Sequence, residues 1–289
     1  MSKILCIVDS YEWALANRAR NLKKHLSGNS FTIKHFNDLK GVSFNSFNIV
    51  YVLNWPIHGY IQPQLRGKKR YRLVTSVSSH VGREHASRLK HIFDRYDFIS
   101  TSSNILYREF KPVYKSKVFN TPFGVDQNLF IPKVNPSDLS NKFGWVGNAS
   151  RDVKRYNDIK SVFGEVGKST AELYTVTSGK SRAEIASFYN TVGTVICFSK
   201  SEGTPNPILE AAASGRSIIS TKVGNVPELI KGSSTIEPVS SRSQLKNAIL
   251  RNVNNPELLN AEGTFLRERI LRDWTWAKRS ENFRPFLGI

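Results

Sequence analysis

The stretch from Thr194 to Thr221 limits what this chain can fold into more than any other. Thr194-Val-Ile-Cys-Phe198 and Ser217-Ile-Ile-Ser-Thr221 are short apolar runs of the kind that form buried strands. Between them lies Ser199-Lys-Ser-Glu-Gly-Thr-Pro-Asn-Pro-Ile-Leu-Glu-Ala-Ala-Ala-Ser-Gly215. Thr204 reads as an N-cap, with Pro205 at the first helical position, where a missing N–H costs nothing. Ile208 to Ala213 favour helix, and Gly215 supplies a left-handed stop. Strand, tight loop, helix and strand form one right-handed parallel crossover.

The same alternation fills the chain. Apolar runs predict strands at 3–8, 31–36, 48–53, 72–77, 98–101 and 118–121, with helices at 13–26, 83–95 and 103–110. A second series opens with Phe143-Gly-Trp-Val-Gly147 and predicts helices at 155–165, 181–190, 205–214 and 226–231. Residues 132–140 have linker composition. With 289 residues, this predicts two doubly wound α/β domains, 1–132 and 133–255, followed by a helical tail at 256–289. No apolar run is long enough to span a membrane, and the N-terminus is polar by residue 9. Cys6 and Cys197 each fall inside a predicted buried strand and read as core residues of a reducing, cytoplasmic compartment.

The loop before the 205–214 helix has its own chemistry. A helix start there leaves N–H groups at Gly203, Thr204 and Asn206 to meet an anion. Glu202 and Glu210 stand beside it with seven residues between them. Carboxylates next to a phosphate site serve to accept hydrogen bonds from sugar hydroxyls, so the set describes a nucleotide-sugar pocket. An ordinary capped helix with an acidic first turn explains the same residues equally well.

Glu202-Gly-Thr-Pro-Asn-Pro-Ile-Leu-Glu210-Ala-Ala-Ala-Ser-Gly215, followed by Val223-Gly-Asn-Val-Pro-Glu228-Leu-Ile, resembles the E-x(7)-E segment of retaining glycosyltransferase family 4. Gly124-Val125-Asp126 with Phe130-Ile131-Pro132 resembles that family's G-V-D-x-x-x-F-x-P segment. The resemblance implies a GT-B fold, two Rossmann-like parallel-sheet domains facing a central cleft, with the last helix crossing back to the first domain. It also implies a nucleoside-diphosphate sugar as donor, a UDP-sugar first, with no cofactor. Glu202 then matches the residue that contacts the donor sugar, and Glu210 the one that holds the ribose.

Further positions follow from that resemblance. Lys154 fits the lysine of the cationic clamp on the donor diphosphate, beyond the turn at Gly147. The clamp arginine is replaced by Asn148, and Arg151, three residues on, is the candidate substitute. His80, at a strand's C-terminal end before Gly82, matches a functional histidine near donor and acceptor. The family's Gly-Gly pair after the first strand is absent, and Trp13 stands in that loop. On the acceptor side, Trp55 and His58 follow another strand end. No D-x-D motif occurs, so no metal is expected on the diphosphate.

Charge bears on the acceptor. Lys and Arg number 42 against 23 Asp and Glu, for a formal net charge of +19. Residues 1–132 hold 20 of the basic and 8 of the acidic side chains, and Arg66-Gly-Lys68-Lys69-Arg70-Tyr-Arg72 has five cations in seven residues. A surplus on this scale attracts a polyanion. DNA carrying a modified base is the first expectation for the acceptor, and a lipid-linked or phosphorylated glycan at a membrane surface the second. A non-catalytic nucleotide-sugar or nucleic-acid binding protein is the competing class.

Overall fold

The computed structural model describes every residue except 13, 66–68, 80–85 and 178. His80, Trp13 and Lys68 therefore lie outside the described residues. By their internal packing the residues form two compact units, Met1–Phe123 with Trp276–Ile289, and Gly124–Thr275. The helix Pro256–Arg269 thus packs in the second unit, where Leu259 and Leu266 are buried, and only the last fourteen residues belong to the first.

The first unit is built on six parallel strands, β1 (Lys3–Val8), β2 (Ser30–His35), β3 (Ile49–Val52), β4 (Arg72–Val77), β5 (Phe98–Thr101) and β6 (Val118–Asn120). They lie in the order β2-β1-β3-β4-β5-β6. β1 and β3 bury apolar side chains on both faces, as strands covered twice by helices must, and β4 is buried from Leu73 to Val77 with Thr75 and Ser76 among the buried residues. The helix Ala14–His25 covers one face with Leu15, Ala16, Ala19 and Leu22. The helix Asn104–Tyr114, capped by Ser103, buries Leu106, Phe110 and Tyr114. It continues four residues past the predicted end and carries Pro112 inside it, because only two residues follow the proline and little helix is lost. The tail returns Trp276, Phe283 and Phe286 to this core, where Trp276 stacks on Phe123.

The second unit has four parallel strands, β7 (Lys142–Val146), β8 (Glu172–Val176), β9 (Thr194–Cys197) and β10 (Ser217–Ser220), in the order β10-β9-β7-β8. β8 escapes the sequence pattern because it is an edge strand with Glu172 and Thr175 exposed, so its alternation is weak. The helix Arg182–Tyr189 starts with a full capping box between Ser181 and Glu184. Arg216 is wholly buried, its guanidinium donating to the carbonyls of Ser214, Val192 and Val134. Burial pushes it down to about 10, still charged at neutral pH.

Close backbone approach fixes the packing of the helix Pro256–Arg269 on this sheet. A Cβ on Gly263 would stand 2.2 Å from the carbonyl oxygen of Gly215. Backbone cannot swing aside as a side chain can. Gly263→Ala is therefore expected to destabilise the protein by about 1–3 kcal/mol through overpacking. Thermal unfolding checks this, and an unchanged Tm would show that the helix shifts freely.

Candidate active site

Ligands of open parallel sheets bind at the C-terminal strand ends, where the strand order reverses. In the second unit that point lies between β7 and β9, with β8 on one side and β10 on the other. The loops leaving β7 and β9 carry most of the residues singled out in the sequence.

After β7 the chain turns at Gly147, where a Cβ would meet the Trp145 ring at 3.0 Å. Asn148 Oδ1 accepts from Ser150 N at 2.9 Å and from its hydroxyl at 2.7 Å. Its side chain is therefore used in closing the turn. A single helical turn, Asp152–Lys154, follows and delivers Lys154. Its ammonium pairs with Glu202 Oε1 of the β9 loop at 2.6 Å, both side chains about 85% buried (15% and 13% exposed). The same oxygen accepts from Ser199 Oγ at 2.7 Å, while Oε2 has no partner among the described residues. This ion pair bridges the loops of β7 and β9 at the point of reversal. Arg151 is exposed, and its guanidinium has no partner among the described residues.

The helix Asn206–Ala213 starts later than expected. Pro205, not Thr204, takes the cap position, with no side-chain cap. Asn206 N donates to the Thr204 carbonyl at 2.9 Å, Pro207 has no N–H, and Ile208 N donates to Pro205 O. The amide at Asn206 is thus already spent, and the two prolines leave little of the anion site read from a helix start. Gly203 N remains without a hydrogen bond among the described residues.

A second turn buttresses this loop. Asn225 Nδ2 donates to Thr204 Oγ1 at 3.2 Å, and a Cβ on Gly224 (φ +51) would meet Pro205 at 2.7 Å and Gly203 O at 2.8 Å. The G-x-x-P-E-L turn therefore holds the 203–205 segment in place.

Glu210 projects from the helix toward Tyr189, whose hydroxyl donates to Oε2 at 3.0 Å, and lies 3.6 Å from Arg182. Burial raises its carboxyl above the ordinary 4.5, opposed by Arg182 and the Tyr189 hydrogen bond. Burial and the neighbouring Glu210 push Tyr189 well above its usual range.

On the first unit the ligand edge is the C-terminal end of β1, β3 and β4. Asp9 Oδ1, Asn54 Oδ1 and Trp55 Nε1 are buried there without hydrogen-bond partners among the described residues. Trp55 thus offers a donor at the expected edge. His58 does not serve there, because it is 2% exposed and its Nδ1 is bonded to the Tyr96 hydroxyl at 2.9 Å. Lys69 and Arg70 lie before the first residue of β4. At about 3.3 Å per residue, the six-residue strand puts them roughly 17 Å from its ligand edge.

A family model described as glycosyl transferases group 1 matches residues 131–255. The match falls within the second unit. Three solved structures show where the whole chain belongs by fold. Sucrose-phosphate synthase from Thermosynechococcus elongatus is 14% identical, with a TM-score of 0.77, covering 99% of this chain and 98% of its own. HepE of Anabaena, solved with UDP and glucose, is 11% identical, with a TM-score of 0.75 and full coverage of both chains. TarM of S. aureus, solved with fondaparinux, α-GlcNAc-glycerol and UDP, is 14% identical, with a TM-score of 0.68 over 83% of this chain and 55% of its own. The architecture is GT-B. No curated protein matches the sequence.

Within the second unit, sequence reasoning passed over Ser199, Tyr189, Arg182 and Asn225. The first three bear on the two glutamates and the last on Thr204. Ser199 and Asn225 had a signal, since each sits inside a quoted stretch, Ser199 at the head of the loop before the helix and Asn225 in the Val223-Gly-Asn turn. The others come from elements adjacent in space or carry no special pattern.

Proposed function

We propose that this chain is a metal-independent retaining glycosyltransferase that moves a sugar from a UDP-sugar to a hydroxyl of an anionic acceptor. The carrying observation is the Lys154–Glu202 pair at the switch point of the second sheet, with Glu210 on the helix that follows the Glu202 loop. Lys154 stabilises the charge that develops on the leaving diphosphate, and Arg151, free to reach in, stands where Asn148 cannot. The Gly203 and Thr204 backbone lines the same position. Glu202 turns its unbonded oxygen to a hydroxyl of the donor sugar, and Glu210 accepts from the ribose. His80, read from the sequence, belongs to the transfer step. Neighbours in fold that hold UDP support the donor assignment. A lysine clamp in place of a D-x-D motif supports transfer without metal.

DNA with a modified base is the acceptor that the basic first unit favours. TarM, whose structure holds α-GlcNAc-glycerol, supports a glycan acceptor instead. In either case Trp55, Asn54 and Asp9 offer unused polar atoms to the incoming hydroxyl. Localisation is proposed to be cytoplasmic, and no helix among the described residues is long and apolar enough to cross a membrane.

Thermal shift with UDP, GDP and ADP tests the donor. A ligand at 100 times its Kd stabilises by about 2.7 kcal/mol, so UDP is expected to raise Tm by several degrees. If none of the three moves Tm, the assigned pocket does not bind nucleotide and the proposal fails.

A further inference from the structure

An open cavity of about 630 Å³ lies in the first unit, at the start of β4 and β5, the edge opposite the ligand edge. Lys69, Arg72, Arg95 and Lys117 line it with Asp94 and Asp97. The two carboxylates are engaged. Asp97 Oδ2 holds Lys69 and the Leu73 amide, each at 2.7 Å, and Asp94 pairs with Lys90 at 3.2 Å.

The other three cations have no counter-ion among the described residues. Arg72 donates to the Leu287 carbonyl at 2.6 Å and lies over Phe98. Lys117 rests on the carbonyls of Tyr96 (3.3 Å) and Asp94 (3.5 Å). Arg95 is exposed, and its guanidinium has no hydrogen bond or ion pair among the described residues. Gathering three unneutralised cations around one hollow costs repulsion, which an anion in the hollow relieves. Two of the three are arginines, whose planar forks match phosphate oxygens two at a time. Among the described residues, none of the exposed large apolar side chains lines the cavity, so the charge there is not accompanied by the apolar groups that insert into a membrane.

We infer that this cavity is a phosphate subsite that anchors a phosphodiester polymer far from the reacting hydroxyl. Lys69 and Arg70, too distant to serve chemistry, extend the same basic edge. The phosphate subsite stands whether or not the donor assignment holds, while the reacting hydroxyl rests on the proposed function.

The test is calorimetric titration of the full chain with inorganic tripolyphosphate, UDP being held at saturation so that the donor site is filled. If UDP does not bind, that failure counts against the donor assignment alone. The titration is then run in a Lys154→Ala background. The double variant Arg95→Ala/Lys117→Ala is expected to bind tripolyphosphate at least tenfold more weakly, with the UDP response unchanged. Arg95→Glu, at an exposed position, provides a variant whose folding is not in question. A short DNA duplex is expected to displace tripolyphosphate, and its own binding is expected to lose about 0.9 from the log–log salt slope per cation removed. Equal tripolyphosphate binding by natural and variant chains would overturn the site. Failure of the duplex to displace would overturn the polymer assignment.

Discussion

A Lys154→Ala chain is expected to transfer sugar about 10²–10³ times more slowly than the natural one, the loss typical of removing one preorganised charge from a transition state. Most of the loss falls on kcat, because the lysine opposes charge that grows only as the diphosphate departs. Truncation also strands Glu202, whose carboxylate is 13% exposed and would keep only Ser199. Some of the measured effect therefore comes from an unpaired, largely buried charge. Lys154→Ala, Glu202→Ala and the double variant, measured as a cycle, separate the two contributions. A Lys154→Ala chain that only raises KM, with kcat intact, would show that the ammonium merely holds the ground-state donor.

Glu210→Ala is expected to weaken binding of free UDP about ten- to a hundredfold, roughly 1.5–3 kcal/mol for a hydrogen bond to a charged group. Titration by calorimetry or fluorescence reads it directly. The same carboxyl gives the binding a pH dependence. Burial raises its protonation range above 4.5, and the site needs the ionised form to accept from the ribose. Affinity is therefore expected to fall as pH is lowered, beginning above the usual carboxylate range. Glu210→Gln should bind weakly at neutral pH and lose this step. A step of unchanged position in the Gln variant would assign the titration to another group.

How much was legible depends on where the chain's physics is local. β4 and β5 were read to the residue, because Arg72–Val77 and Phe98–Thr101 are short runs rich in β-branched and apolar residues bounded by polar turns. The helix Asn206–Ala213 was legible from its helix-forming residues and the Gly215 stop, yet its start was misplaced by one residue. Two prolines and the Thr204 carbonyl settle where donors go there, and no pattern of side chains reports that. Lys154, Glu202 and Glu210 were named from sequence, but not the pairing of the first two across the β7 and β9 loops, since strand order is a property of the whole sheet. His58 follows a strand end as an acceptor residue should, and still turns inward to Tyr96. The run from Arg66 to Arg72 was legible as charge, while the position of Lys69 and Arg70 on the far edge of the sheet follows only from where β4 begins.

The most direct measurement is NMR observation of sugar transfer or hydrolysis from UDP-sugars with EDTA present. The proposed chemistry predicts release of UDP at undiminished rate without metal, and a product with the anomeric configuration of the donor. Strict dependence on added Mn²⁺, or an inverted product, would contradict it.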